Sequence, residues 1–77
     1  MLQVTIMSPE QVLFEGQATK VICPGEQGVF EITALHHSIV SRLLPGLIVI
    51  DDQAVPIHRG VVRVADDTVT AIVEPEE

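Results

Sequence analysis

The sequence predicts an all-β fold: a small antiparallel β-sandwich of about eight to ten short strands in two sheets, with no substantial helix. Two kinds of observation support this prediction. Val and Ile account for 12 and 8 of the 77 residues, whereas the only aromatic residues are two Phe. β-Branched side chains suit pleated surfaces and lose rotamer freedom in helices. In addition, short apolar runs recur along the chain, and Gly or Pro separates them.

In the first half of the chain, strands are predicted at residues 2–6, 12–14, 18–23, 29–32 and 39–44. Residues 2–6 alternate apolar and polar side chains, which is the period of a half-buried strand. Four residue pairs predict turns between these strands: Ser8-Pro9, Glu15-Gly16, Pro24-Gly25 and Pro45-Gly46. The pattern assigns no structure to residues 33–38.

In the second half, strands are predicted at residues 47–50, 54–58, 61–64 and 68–73, with Arg59-Gly60 between the middle two. Asp51-Asp52-Gln53 predicts a polar turn. Asp66-Asp67, between two Val-rich runs, is the strongest hairpin signal because Asp tolerates the left-handed conformation. We place the domain at residues 1–73 and interpret residues 74–77 as an acidic tail.

Composition excludes several classes of function. Four basic and eleven acidic residues give a formal charge of −7, so the chain lacks the basic footprint of a nucleic-acid binder. Anionic lipid should repel it, and we expect no lipid insertion. No apolar run approaches the roughly 20 residues of a membrane span, and the N-terminus does not resemble a signal peptide. Cys23 is the single cysteine, which is typical of a reducing, cytoplasmic setting.

Candidate chemical groups have simpler structural explanations. His36 and His37 are adjacent, so on an extended backbone they point to opposite faces, and His58 is distant in sequence. Gly25-x-x-Gly28 holds Glu26, which would repel phosphate, so we predict a turn with positive φ at one or both glycines. We therefore expect no catalytic, cofactor-binding or metal-binding residue.

Two acidic pairs and the single cysteine also have simpler structural explanations. Asp51-Asp52 and Asp66-Asp67 are predicted to face solvent in turns rather than to act as acid/base pairs. Cys23 is predicted to be a small core residue.

Two alternative functions remain open. A lipoyl or biotinyl carrier domain needs its lysine on a hairpin tip, whereas Lys20 falls inside a predicted strand. A small cupin-like metal protein would need further ligands around the three histidines.

A set of ordered anchors then indicates a family. The anchors are Ser8-Pro9-Glu10 with Phe14 and Gly16, Pro24-Gly25 with Gly28, Phe30 and Ile32, His36 before Ile39-Val40-Ser41, Pro45-Gly46, and Gly60-Val61-Val62-Arg63-Val64. In this order and spacing, over nearly the whole chain, they resemble the N-terminal β-sandwich domain of the F-type ATP synthase epsilon subunit. The chain departs from the family pattern at Glu31, Ala34-Leu35, His37-Ser38 and Arg59.

The resemblance implies a non-catalytic rotor part of a bacterial ATP synthase, peripheral on the cytoplasmic side of the membrane, which bridges the gamma subunit and the c-ring and helps couple ion flow to ATP synthesis. It implies that the residues facing gamma are Ser8, His36 and Ser41. It implies that the residues facing the c-ring are Glu26, Gln27, Gly28 and Val29. The isolated domain is expected to be monomeric or weakly associating.

Many members of this family continue into a C-terminal helical hairpin that restrains rotation and, in some, binds ATP. The sequence ends at Glu77. The resemblance therefore implies a short form without the hairpin type of autoinhibition and without an ATP site.

Overall fold

The computed structural model describes residues 1–34 and 38–76. These residues form eight strands: β1 Leu2–Met7, β2 Val12–Ala18, β3 Lys20–Gly25, β4 Gly28–Thr33, β5 Ile39–Leu43, β6 Gly46–Ile50, β7 Gln53–Ala65 and β8 Thr68–Pro75. No helix occurs among the described residues. The predicted all-β sandwich is confirmed.

The 13-residue strand β7 belongs to both layers of the sandwich. Its first residues, 53–57, pair with β6, and residues 60–64 pair with β5. One layer therefore runs β2-β1-β8-β7-β5, and the other contains the start of β7, then β6, β3 and β4. Because β5 also touches β3 through the pair Leu43–Gly25, the hydrogen-bonded ladder is continuous between the layers.

One pairing differs from the predicted antiparallel arrangement. β1 and β8 run parallel, from the pair Gln3–Thr68 to the pair Met7–Ile72. β1 and β8 are the first and last strands, so the rest of the domain connects them. A parallel pair needs such a long connection rather than a short hairpin. No sequence signal distinguishes such a pair, because pairing direction depends on how distant segments are brought together.

The core between the layers is almost entirely aliphatic. Among the described residues, sixteen hydrophobic side chains are buried: Leu2, Val4, Ile6, Ala18, Val21, Cys23, Ile32, Leu43, Ile48, Ile50, Ile57, Val62, Val64, Val69, Ala71 and Val73. Phe14 and Phe30 pack against this cluster from its margins and stay partly exposed. The prediction that Cys23 is a core residue is confirmed.

Two of the predicted polar turns adopt the left-handed backbone that favours Asp. Asp66 and Asp67 have φ of 49° and 61° and join the closing pair Ala65–Thr68, which is the geometry of a two-residue type I′ hairpin. Asp51 has φ of 51° in the β6–β7 turn. The Asp66-Asp67 hairpin prediction is confirmed.

Some predicted strand boundaries were wrong. β2 does not stop at Glu15-Gly16 but continues to Ala18, because its pairing with β1 extends to Leu2–Ala18 and tolerates the glycine. β8 continues through Glu74 to Pro75, so the first two residues of the predicted acidic tail are strand.

Gly60 marks a close approach between the backbones of β7 and β8. A Cβ built on Gly60 would lie 2.6 Å from the carbonyl oxygen of Ile72 and 3.0 Å from Cα of Val73. The pairing of β7 with β8 also shifts register between Ile57 and Arg59, next to Gly60. At this point β7 passes from one layer to the other. Backbone atoms cannot move aside as a flexible side chain can, so a side chain at residue 60 must displace a strand.

We expect Gly60→Ala to lower the free energy of unfolding by about 1–3 kcal/mol, the usual cost of overpacking. Urea denaturation followed by circular dichroism measures it. Gly16→Ala is the matched control, because its Cβ would meet the ring of Phe14 at an ordinary 3.6 Å, and its effect should stay within about 0.5 kcal/mol. Equal stability of the two variants would contradict the close approach.

Candidate protein-binding surfaces

The β3–β4 hairpin presents the four residues predicted to face the c-ring. Glu26 and Gln27 form its turn, and they are exposed together with Gly28 and Val29. Gly28 has φ of 117°, so the predicted positive φ is confirmed at this glycine. At Gly25 the constraint is steric, because a Cβ there would lie 2.7 Å from the ring of Phe30. The ring of Phe30 thus lies against the base of the hairpin.

A shallow depression connects this hairpin with β5 and β7. Its volume is about 830 Å³, and its lining includes all four hairpin residues together with Ser41. Ser41 was predicted to face gamma. The structure therefore places one predicted gamma contact next to the predicted c-ring contacts, at one end of the sandwich. The Ser41 hydroxyl donates to the carbonyl oxygen of Arg42 at 3.1 Å.

Ser8 lies in the β1–β2 turn, and its hydroxyl bonds within that turn. Its Oγ accepts from the N–H groups of Glu10 and Gln11 at 3.3 and 3.2 Å and donates to the carbonyl oxygen of Gln11 at 3.3 Å. Ser8 is 8% exposed. Its hydroxyl therefore fixes the shape of the turn, and Pro9 and Glu10 present the exposed surface.

Ser8 lines a different depression from Ser41. This one, of about 580 Å³, also contains His58 and Glu74. Pro9, the neighbour of Ser8, and Glu26 do share the lining of a third depression of about 480 Å³. His36, the remaining predicted gamma contact, lies outside the described residues, as does His37.

Asp51 makes contacts that the sequence did not reveal. It is exposed in its turn, as predicted, but its carboxylate accepts from the N–H of Lys20 at 3.0 Å and from the N–H of Thr19 at 3.1 Å. It thereby joins the β6–β7 turn to the junction of β2 and β3. The partners are 31 and 32 residues away in sequence, so no local pattern could have shown them.

Lys20 occupies the first position of β3, next to that junction. Lys20 does lie in a strand, but the predicted start of that strand at residue 18 was wrong, because β2 extends to Ala18 and leaves only Thr19 between the two strands. Its backbone is held by Asp51 rather than placed on a free hairpin tip.

The titratable side chains of the described residues form no cluster of the kind that holds a metal ion. No group of three or more His, Cys, Asp or Glu side chains converges among residues 1–34 and 38–76. Burial raises the pKa of the Cys23 thiol to about 12, so it is protonated and unreactive at neutral pH. Arg59 forms an exposed ion pair with Glu74, and the hydrogen bond between them lowers the pKa of that carboxyl.

Comparison with known proteins matches this architecture. The sequence profile described as "ATP synthase, Delta/Epsilon chain, beta-sandwich domain" matches residues 1–76. The chain belongs to this family. The family resemblance found in the sequence is therefore confirmed.

Named relatives come from several bacteria. The ATP synthase epsilon chain of Nitratiruptor sp. is 36% identical over 95% of this chain and 60% of its own length. The ATP synthase epsilon chain of Parvibaculum lavamentivorans is 39% identical over 80% of this chain and 47% of its own length. The chain thus spans about half to three-fifths of the length of these relatives.

Solved structures share the fold at low sequence identity. A chain from the central stalk and c-ring structure of the Tetrahymena thermophila mitochondrial ATP synthase superposes with a TM-score of 0.75 at 18% identity, over 95% of this chain and 63% of that one. A chain from the Euglena gracilis mitochondrial ATP synthase OSCP/F1/c-ring structure gives 0.83 at 16% identity, over 94% of this chain and 49% of that one. Among the described residues, no helix has the length and apolar character needed to cross a bilayer.

Because the Cys23 thiol is buried and its pKa is about 12, iodoacetamide at pH 8 should leave it unmodified in the folded chain and alkylate it in 6 M urea. Mass spectrometry of the alkylated protein measures this. The thiol of a surface variant, Thr33→Cys, should react in the folded chain and serves as the matched control. Equal labelling of both thiols without urea would show that Cys23 is accessible.

The same burial predicts a pH dependence of stability. The folded pKa of Cys23 lies above the unfolded value of 9.0, so its contribution to stability is complete below pH 9 and is lost as pH rises towards 12. Cys23→Ala should show a smaller loss of unfolding free energy between pH 8 and 11 than the parent chain. An identical pH dependence of the two proteins in urea titrations would contradict this assignment.

Proposed function

We propose that this chain is a non-catalytic central-stalk subunit of a bacterial F-type ATP synthase, which bridges the gamma subunit and the c-ring and helps couple ion flow to ATP synthesis. The observation that carries the proposal is the family match over residues 1–76. The matched relatives are named as ATP synthase epsilon chains, and they include bacterial proteins. In this setting the subunit is peripheral, on the cytoplasmic side of the membrane.

The solved structures support the location. One of the two structures with the same fold is described as central stalk and c-ring, and the other as an assembly that includes F1 and the c-ring. Sequence identities of 16–18% establish the shared fold alone. That this chain occupies the same location is therefore part of the proposal.

The mechanical requirement is a body that transmits twist without deforming. Close-packed aliphatic cores have low compressibility. The sixteen buried side chains and the continuous ladder across both layers provide such a body. Torque can pass through it only if two separate surfaces hold two partners.

The β3–β4 hairpin and the neighbouring β5 provide candidate surfaces at one end of the sandwich. We place Glu26, Gln27, Gly28 and Val29 against the polar loops of the c-ring. We place Ser41, the Ser8 turn and His36 towards gamma. The depression shared by the hairpin and Ser41 supports a contact region in which both partners approach the same end.

Cross-linking from single cysteines tests the two assignments separately. The buried Cys23 leaves an introduced surface thiol as the reactive one. In the assembled complex, benzophenone on Val29→Cys should cross-link to the c subunit, and benzophenone on Ser41→Cys should cross-link to gamma. Peptide mass spectrometry identifies each adduct.

Thr33→Cys is the control for this experiment. It lies at the other end of β4, about 17 Å from Gly28 at the rise of an extended strand, and should give few adducts with the c subunit. Adducts of Val29→Cys to catalytic subunits only, or equal yields from Thr33→Cys, would contradict the proposed orientation.

Charge reversal in the hairpin tests its electrostatics. Glu26→Lys should weaken retention of the chain on c-ring-containing complexes, because the chain has a charge of −7 and we propose that it docks on basic loops. Glu31→Lys gives the same net charge but lies within β4, outside the hairpin turn that contains Glu26, and should have less effect. Co-purification at low and at high salt measures how much of each variant is retained. Salt-insensitive retention of both variants would count against docking through Glu26.

A further inference from the structure

Strand β3 changes its partner at Pro24 and Gly25, where the β3–β4 hairpin begins. Earlier in the strand, Val21 and Ile22 pair with β6, whereas Gly25 pairs with Leu43 of β5. Proline has no N–H to donate to a ladder, so Pro24 cannot extend the pairing with β6 as a donor. We call Pro24 and Gly25 the hairpin corner, because β3 leaves one partner strand for another at these two residues.

Three neighbours hold the hairpin corner from different sides. The carbonyl oxygen of Pro24 accepts a hydrogen bond from the N–H of Leu44 at 2.8 Å. The ring of Pro24 lies against Gly46, where an added Cβ would come within 3.1 Å of it. On the β4 side, the ring of Phe30 occupies the space that a Cβ of Gly25 would need, at 2.7 Å. The corner is thus enclosed by β4 on one side and by the residues around the β5–β6 turn on the other.

The tip of the hairpin is surrounded by solvent, in contrast to the corner. Its four residues, 26–29, are exposed, whereas Gly25 is buried and Phe30 is half-buried. A segment with few buried contacts opens more readily than the packed elements around it. The orientation of the tip therefore depends on how firmly the corner is held.

Phe30 connects this corner to the rest of the sandwich. Its ring packs against the buried aliphatic cluster as well as against Gly25. An aromatic ring is a large rigid body with two side-chain torsions, so it fixes a neighbouring backbone more closely than a smaller flexible side chain does. Gly25 pairs with Leu43, which lies in β5 together with Ser41. The ring thus acts on the one corner that joins the hairpin to the strand of Ser41.

We propose that Phe30 is a positioning residue: its ring, held against Gly25, sets the orientation of the hairpin tip relative to Ser41. The inference rests on the proposed function, in which the tip contacts the c-ring and Ser41 contacts gamma. A partner held at Ser41 and a partner held at the tip then keep a fixed relative orientation. Loss of the ring lets the tip move while β5 stays in place, so contact with the c-ring weakens and contact with gamma remains.

Phe14 provides an internal comparison, because it shares every property of Phe30 except its position. Both rings are half-buried and pack against the margin of the core. Phe14 lies on β2, which pairs with β1 at the far edge of the other layer. If Phe30 only fills the core, the same substitution at the two positions should have the same consequences.

Amide hydrogen exchange of the full 77-residue chain tests the contact without any partner. Phe30→Leu should speed exchange of the Leu44 N–H about fivefold relative to β7 amides that bond to β8, because the acceptor carbonyl of Pro24 is then held less firmly. Phe14→Leu removes the same atoms and should leave this ratio unchanged. Phe30→Tyr keeps a ring and should restore the parent ratio. Dispersed NMR spectra confirm that each variant is folded.

Cross-linking in the assembled complex tests the consequence for the two partners. With benzophenone on Gln27→Cys at the tip, Phe30→Leu should lower the yield of the c-subunit adduct at least about twofold. The gamma adduct of Ser41→Cys should keep its yield in the same background. Phe14→Leu should leave both yields unchanged, and Phe30→Tyr should restore the c-subunit adduct. A purely structural role of Phe30 would lower both adducts together.

Two results would overturn the proposal. One is an equal effect of Phe30→Leu and Phe14→Leu on the exchange of the Leu44 amide, which would make Phe30 a core residue only. The other is a c-subunit adduct that persists at full yield in Phe30→Leu, or that falls in parallel with the gamma adduct. The absence of any c-subunit adduct in the parent background would instead contradict the proposed function, and the hydrogen-exchange ratio would still show whether Phe30 holds the hairpin.

Discussion

The passage of β7 from one layer to the other is the constraint on which the rest of this structure depends. One strand pairs with β6 through its first residues and with β5 and β8 through its last, so both layers share a covalent and hydrogen-bonded connection. Gly60 permits it, because the backbone of β8 occupies the space where a Cβ would be. Both layers therefore belong to one continuous hydrogen-bonded sheet, and the proposed coupling role requires such a connection.

The same connection explains where the candidate surfaces lie. β5 pairs with the second part of β7 and touches β3 at the pair Gly25–Leu43, directly at the base of the β3–β4 hairpin. This contact brings Ser41 and the hairpin to one depression. One irregular strand therefore positions the end of the molecule that we propose as the contact region.

Much of the fold could be predicted because its signals are local. The alternation at residues 2–6, the Asp66-Asp67 turn and the break at Pro45-Gly46 each depend on neighbours within a few residues, and each predicted a real element. The extension of β2 past Gly16, the parallel pairing of β1 with β8 and the bonds of Asp51 were missed because they depend on segments far apart in sequence.

The central claim is that this sandwich connects gamma to the c-ring through the end that carries the β3–β4 hairpin. The most direct measurement is a cryo-electron microscopy map of the ATP synthase assembled with this chain. The account predicts density for the sandwich beside gamma, with Glu26, Gln27, Gly28 and Val29 at the c-ring loops. A map in which this hairpin points away from the ring, or in which the sandwich touches neither partner, would contradict it.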